Sequence, residues 1–246
     1  MNLLLLDRQE LDPDNLTRLS DRRAHHLRKV LRVQPGDPLK AGILNGPLGT
    51  AEVLAIDDQE VRLRCSFEDE TPTISQDSLV LAIPRPKILL RCLELATALG
   101  FGRILLTRTW RVDKSYLASR ALDPNLQHQH LIFGLEQSCR TRLPQVQTFE
   151  LFKPFVEDHL DELVPMTHRL VAHPNAAKSL GDVPFGQQPF TLAVGPEGGF
   201  IPYEISMLEK SGFTAVSAGP HPLRVEAALA WLSGQANALR NAARQR

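Results

Sequence analysis

Thr191-Leu-Ala-Val-Gly-Pro-Glu-Gly-Gly-Phe-Ile-Pro202 decides the fold. Four residues of buried-strand type, Thr191–Val194, run into a turn with three glycines. The chain leaves that turn at Pro202, a residue suited to the first turn of a helix. A strand that ends in such a turn and enters a helix is the unit of an open α/β sheet, which binds ligands at the carboxyl ends of its strands. Gly198 and Gly199 lack Cβ atoms, so the backbone can bend sharply and approach a flat ligand closely. The turn is neither GxGxxG nor a Walker loop, which removes the pyrophosphate reading. Taken alone, it is equally well an ordinary structural turn.

The same unit recurs on both sides. A strand over Leu79–Ile83 precedes a helix from Lys87 to Leu99 whose apolar face is Ile88, Cys92, Leu95 and Leu99, with Gly100 as its stop. Further strands are expected at Arg103–Thr107, Arg169–Ala172 and Thr214–Ser217. Strands alternating with helices predict a mainly parallel sheet covered on both faces. The first 70 residues differ: alternating stretches at Thr50–Ile56 and Glu60–Phe67, with Val61, Leu63 and Cys65 on one face, lie between the turns Gln34–Asp37, Asn45–Pro47 and Asp57-Asp58. They read as a small β-barrel interrupted by one helix, Asp21 to Leu31, with Ser20 as its N-cap. The expected domains are residues 1–72 and 73–246.

The final helix, Arg224 to Ala243, has two apolar stripes. Val225, Leu229, Leu232, Ala236 and Leu239 form one; Ala227, Trp231, Gly234 and Ala238 form the other, on roughly the opposite side. A helix apolar on two sides is covered on two sides, which predicts a homodimer through this helix.

Hydrophobic residues at 43% and charged residues at 23% exclude a disordered or fibrous chain. No stretch reaches the roughly 18 apolar residues that cross a bilayer, and Leu3–Leu6 is too short for a signal core, so a cytoplasmic protein is expected. Cys65, Cys92 and Cys139 are far apart and read as free thiols; no metal is expected. Net charge is zero, but residues 85–142 carry 10 Lys and Arg against 4 Asp and Glu, so the middle of the chain is basic.

A second irregular loop, Ser217-Ala-Gly-Pro-His-Pro-Leu-Arg-Val-Glu226, also leaves a strand and enters a helix. Its prolines and glycine make a rigid backbone whose free N–H and C=O groups could meet an adenine edge. Arg224 at a helix start opposes the helix dipole, which favours a functional role for it over Glu226.

GPEGGF and GP-x-x-LRVE, about 20 residues apart, resemble the closing motifs of the RsmE family of 16S ribosomal RNA uracil-N(3) methyltransferases in the SPOUT superfamily. His25-His-Leu-Arg-Lys-Val-Leu-Arg32 with Pro35-Gly-Asp37, Ala96-Thr-Ala-Leu-Gly100 and Leu135-Glu-Gln-Ser138 resemble its other signatures. The resemblance implies a PUA-like β-barrel that helps hold RNA, a trefoil-knotted α/β methyltransferase domain, a homodimer, and S-adenosyl-L-methionine as cofactor. It implies a cofactor pocket of Val194, Gly195, Gly198, Gly199, Ala218, Gly219, Leu223 and Arg224, with His173 nearby. Departures are Gly219-Pro-His-Pro-Leu-Arg224 in place of the usual GPRILR, Ala227 in place of Thr, and Leu95 and Ala98 at positions often Lys and Glu.

Uracil N(3) is weakly nucleophilic until its proton is lost or shared, so a base or a stabilising cation is expected. Arg224 is the cation candidate; Glu226 and Glu197 compete as the base. The target must be unpaired. Arg22, Arg23, His26, Arg28, Lys29 and Arg32 form one group of candidate RNA contacts. Arg108, Arg111, Lys114, Arg140 and Arg142 form another. Two rival readings remain at this point: an RNA-binding or ribosome-assembly protein that keeps the fold without methyl transfer, and a nucleotide-dependent oxidoreductase, against which the missing GxGxxG weighs.

Overall fold

A computed structural model describes residues 1–245 as two units: Met1–Ile74 with Ile132–Leu143, and Ser75–Leu131 with Pro144 onward. The first unit is built on a five-stranded sheet. Its strands are β1 (Leu4–Leu6), β2 (Leu16–Leu19), β3 (Pro38–Ile43), β4 (Leu48–Ile56) and β5 (Val61–Phe67), in the order β1-β3-β4-β5-β2. β1 joins β3 in parallel and the other pairings are antiparallel. The order begins at β1 and ends at β2, so the expected barrel is an open half-barrel with those strands as edges. Val61, Leu63 and Cys65 alternate with exposed Arg62, Arg64 and Ser66, and their inward face packs with Leu4, Leu6, Leu19, Ala41, Ala51 and Val53.

Helix α1 (Arg22–His26) begins one residue later than expected: Asp21, not Ser20, is its cap, and its carboxylate accepts the Arg23 N–H. A wider π-type turn follows at Leu27–Leu31 and ends at Arg32 with φ 53°, which leaves Val30 and Leu31 in solvent. Arg23 is enclosed by Glu10, Asp21 and the Leu5 carbonyl. Burial works to raise the Glu10 and Asp21 carboxyls, but the hydrogen bonds and charge of Arg23 outweigh it and hold both below the usual carboxylate range. Glu136, 3% exposed, receives both guanidinium N–H groups of Arg22 at 2.9 and 2.6 Å, while its own carbonyl accepts the N–H groups of Asn2 and Leu3.

The second unit carries a six-stranded, wholly parallel sheet. Its strands are β6 (Ser78–Ala82), β7 (Arg103–Thr107), β8 (Gln145–Phe149), β9 (His168–Ala172), β10 (Phe190–Val194) and β11 (Thr214–Val216), in the order β11-β9-β10-β6-β7-β8. β6 and β10 are buried at every position, which explains their unbroken apolar runs. β8, Gln-Val-Gln-Thr-Phe, escapes a reading by hydrophobic pattern because it is an edge strand with no fully buried residue.

Helix α2 (Pro86–Leu99) follows β6 and ends where Gly100, at φ 89°, gives its N–H to Ala96 and Thr97. Its buried side is Leu89, Cys92, Leu93, Ala96 and Thr97, so the expected face through Ile88, Leu95 and Leu99 is corrected by about one residue of rotation. The helix is apolar around much of its girth, and periodicity alone selects the wrong stripe. Helix α3 (Pro124–Ser138) belongs to the second unit as far as Leu131 and to the first from Ile132. Short helices α4 (Phe152–Pro154) and α5 (Leu160–Leu163) flank a π-type turn, α6 (Pro202–Lys210) follows β10, and α7 (Val225–Arg244) closes the chain. Val225, Leu229, Leu232 and Ala236 of α7 are buried, whereas Ala227, Trp231, Gly234 and Ala238 are exposed. Among the described residues no helix is long and apolar enough to cross a membrane.

Candidate active site

Four neighbouring parallel strands, β11, β9, β10 and β6, bring their carboxyl ends side by side, and a cleft of about 1060 Å³ opens there. Each strand sends its following loop into the wall: Arg85–Ile88 after β6, Ala172–Asn175 after β9, Val194–Phe200 after β10, and Ala218–Glu226 after β11.

The β10 loop is held from several directions. Gly199, at φ 70°, gives its N–H to the Pro196 carbonyl at 2.8 Å. A Cβ on Gly195 would lie 3.0 Å from the Phe200 nitrogen and 3.1 Å from the Gly199 Cα, so a side chain there would push against backbone of the same turn. Glu197 Oε1 accepts the Arg85 N–H at 3.0 Å, tying the β10 loop to the start of α2. Arg111 donates to the Gly198 carbonyl. Below, Glu204 is 3% exposed; it accepts the Ile201 N–H at 2.9 Å and the Trp110 N–H at 2.7 Å, capping α6 and fixing the loop after β7.

The β11 loop is anchored where Ser217 N–H reaches the Lys178 carbonyl at 2.8 Å and His173 N–H reaches the Val216 carbonyl at 3.0 Å. Ser217 Oγ accepts the Gly219 N–H at 3.2 Å. Gly219 has φ 134°, and a Cβ on Gly199 or Gly219 would meet no protein atom within 4 Å. Both glycines line the cleft, so side chains there would fill its space. Arg224 caps α7 with φ −64° and ψ 157°, one residue before the helix rather than within its first turn, and its side chain is exposed with no hydrogen-bond or ion-pair partner among the described residues. Cys92 on α2 lies beneath: burial, reinforced by Glu226 and Glu197, pushes its thiol up to about 12.

All eleven residues singled out for cofactor or catalysis line this one cleft: His173, Val194, Gly195, Glu197, Gly198, Gly199, Ala218, Gly219, Leu223, Arg224 and Glu226. The sequence reading missed Arg85 and Lys87, whose loop reaches the site through the β6–β10 pairing. A loop leaving a buried strand for a helix was the available signal.

The candidate RNA contacts are dispersed. Only Arg111 among them lines the cleft. Arg23, with its side chain 12% exposed, and Arg22 are committed to carboxylates. Burial, and after it the amino-terminal charge, lower the His26 imidazole from its ordinary value, which weakens it as a phosphate contact. Arg28 donates to the Asp57 and Asp58 carbonyls, Arg142 to that of Asn45 at 2.7 Å, and Arg108 to that of Glu150 at 3.1 Å. Lys29, Arg32, Lys114 and Arg140 are exposed.

The model of the RNA methyltransferase domain family matches residues 70–236, and that of the RNA methyltransferase PUA domain matches residues 19–64. Ribosomal RNA small subunit methyltransferase E of Treponema pallidum is 32% identical over 232 residues, covering 93% of this chain and 87% of that protein. Ribosomal RNA small subunit methyltransferase E 1 of Borreliella burgdorferi is 27% identical, covering 93% and 94%. The structure of a ribosomal RNA small subunit methyltransferase E from Neisseria gonorrhoeae, bound to S-adenosyl methionine, superimposes with a TM-score of 0.76 at 24% identity, over 97% of this chain and 98% of that one. With a family model spanning most of the sequence and a relative above 30% identity along nearly its whole length, the chain belongs to the RsmE family of RNA methyltransferases.

Proposed function

We propose that this protein transfers a methyl group from S-adenosyl-L-methionine to N(3) of an unpaired uridine in 16S ribosomal RNA of the small subunit. The observation that carries the reading is the single cleft into which both glycine-bearing loops converge at the carboxyl ends of β6, β9, β10 and β11. Its volume, its glycine walls open to the cleft and its backbone-rich lining suit the adenosyl group that the Neisseria gonorrhoeae enzyme carries. The wholly parallel sheet and the RNA methyltransferase domain match support a SPOUT domain over residues 73–246, trefoil-knotted as the family resemblance implies, and the half-barrel supports a PUA-like RNA-binding domain over residues 1–72. The exposed stripe of α7 supports a homodimer, and a ribosomal substrate implies work in the cytoplasm.

Val194, Gly195, Gly198, Gly199, Ala218, Gly219 and Leu223 would hold the cofactor largely through backbone, with His173 beside them. When bound, the cofactor supplies an electrophilic methyl on a sulfonium. Arg224, exposed on the cleft wall and making no side-chain cap bond, stabilises the negative charge that develops on the uracil ring as its N(3) proton leaves. Glu226 is the better-placed acceptor for that proton, because one oxygen of Glu197 is already occupied by the Arg85 N–H. Arg28, Lys29, Arg32, Arg108, Arg111, Lys114, Arg140 and Arg142 form no ion pair with a carboxylate among the described residues, so they keep their charge for phosphates, whereas Arg22 and Arg23 do not.

Mass spectrometry of ribosomal RNA from cells lacking the protein tests the reading. Loss of one N(3)-methylated uridine in 16S RNA is expected; an unchanged pattern would overturn it. Calorimetry that found no binding of the methyl donor would favour an assembly factor that keeps the fold without the chemistry.

A further inference from the structure

Trp110 is 80% exposed, an unusual placement for the largest apolar side chain. Its backbone, by contrast, is pinned. The N–H is held by the buried Glu204 carboxylate at 2.7 Å, the same carboxylate that caps α6, and Thr109 and Val112 on either side are 4% and 6% exposed. Arg111, the next residue, is bonded to the Gly198 carbonyl of the β10 loop and lines the cleft. An exposed indole is therefore carried on rigid backbone one residue from the proposed reaction site. Three cations, Arg108, Arg111 and Lys114, lie within four residues of it along the chain; the nearest carboxylate in sequence, Asp113, accepts the Ser115 N–H at 2.8 Å, and the Glu204 carboxylate that holds its N–H is buried.

We infer that Trp110 is a stacking platform for a base of the RNA substrate and positions the strand beside the cleft. This rests on the methyltransferase reading above. A flat, polarisable ring flanked by cations matches the alternation of bases and phosphates in a single strand: the ring takes a base face and the cations take the phosphates. Exposure of 80%, a fixed backbone and covalent continuity with a cleft residue distinguish it from Trp231, which lies on the exposed stripe of α7. Trp110 touches neither reacting atom on this reading; it is a positioning residue.

The test uses Trp110→Ala and Trp110→Phe in the full-length protein, with small ribosomal subunits from cells lacking it as substrate. Trp110→Ala should raise KM for subunits by about tenfold to a hundredfold, the range spanned by loss of one base–aromatic stack. It should leave kcat at saturation within about threefold, and leave donor binding by calorimetry and the sedimentation coefficient unchanged. Trp110→Phe should recover most of the loss. An alanine variant with wild-type KM would overturn the inference while the methyltransferase reading stands. A variant that dissociates or assembles differently would also overturn it, by assigning Trp110 to contact between copies. A wild-type protein that neither binds the donor nor methylates subunits would instead sink the reading beneath it.

Discussion

Removing the Glu204 carboxylate should unfasten two loops at once. The side chain is 3% exposed, and its two oxygens serve different donors, Trp110 N–H at 2.7 Å and Ile201 N–H at 2.9 Å. Glu204→Ala leaves both without an acceptor. An unsatisfied buried donor costs about 1–3 kcal/mol; the Trp110 side is open to water, so the two together should cost roughly 3 kcal/mol. For a unit of this size that lowers the unfolding midpoint by about 6–12 °C. Glu204→Gln keeps one acceptor oxygen and should lose about half as much. Differential scanning calorimetry at pH 7.5 measures both, and donor calorimetry reads the loosening of the β10 loop as weaker binding. An alanine variant within about 2 °C of wild type would refute the reasoning, since both bonds would then be worthless. A glutamine variant as damaged as the alanine one would show that charge, not acceptor count, holds the loops.

Three further outcomes follow from the same geometry. Gly195→Ala drives a Cβ to 3.0 and 3.1 Å from backbone atoms of the same turn; methyl transfer should fall by about tenfold or more with the far-UV spectrum unchanged, and full activity would contradict the close approach. Iodoacetamide at pH 8 should modify Cys139 alone, because burial raises the Cys65 thiol to about 11 and the Cys92 thiol to about 12; peptide mass spectrometry showing either one alkylated in folded protein would count against that packing. Glu10 is depressed in the folded state below its ordinary value of 4.5, so the stability it contributes is present above that pH and drains away as pH falls through the folded value. Acid titration followed by circular dichroism should therefore show a transition below about pH 4.5 that Glu10→Gln flattens; an identical curve for the variant would remove Glu10 as the cause.

Features set by neighbours along the chain could be read from the sequence itself. β10, its glycine turn and the Pro202 start of α6 follow from an apolar run, two missing Cβ atoms and a ring that fixes φ. The stop at Gly100 is equally local, since only a left-handed residue lets that N–H turn back to Ala96 and Thr97. The buried stripe of α7 was legible because its apolar positions fall on one side at helical spacing, opposite a stripe that a single chain leaves exposed.

What depends on pairing between distant segments was not legible. α2 offers apolar residues over much of its circumference, and only the surface it meets selects Leu89, Leu93 and Ala96 over Ile88, Leu95 and Leu99. β8 shows no buried pattern because an edge strand need not have one. Arg23 reads as a surface cation until Glu10 and Asp21 close around it. The cleft itself exists because β10 lies between β9 and β6, an order that hydrogen bonds between strands fix and that no window of sequence contains. The chain specifies its turns residue by residue, but which turns face one another is decided only when the sheet assembles.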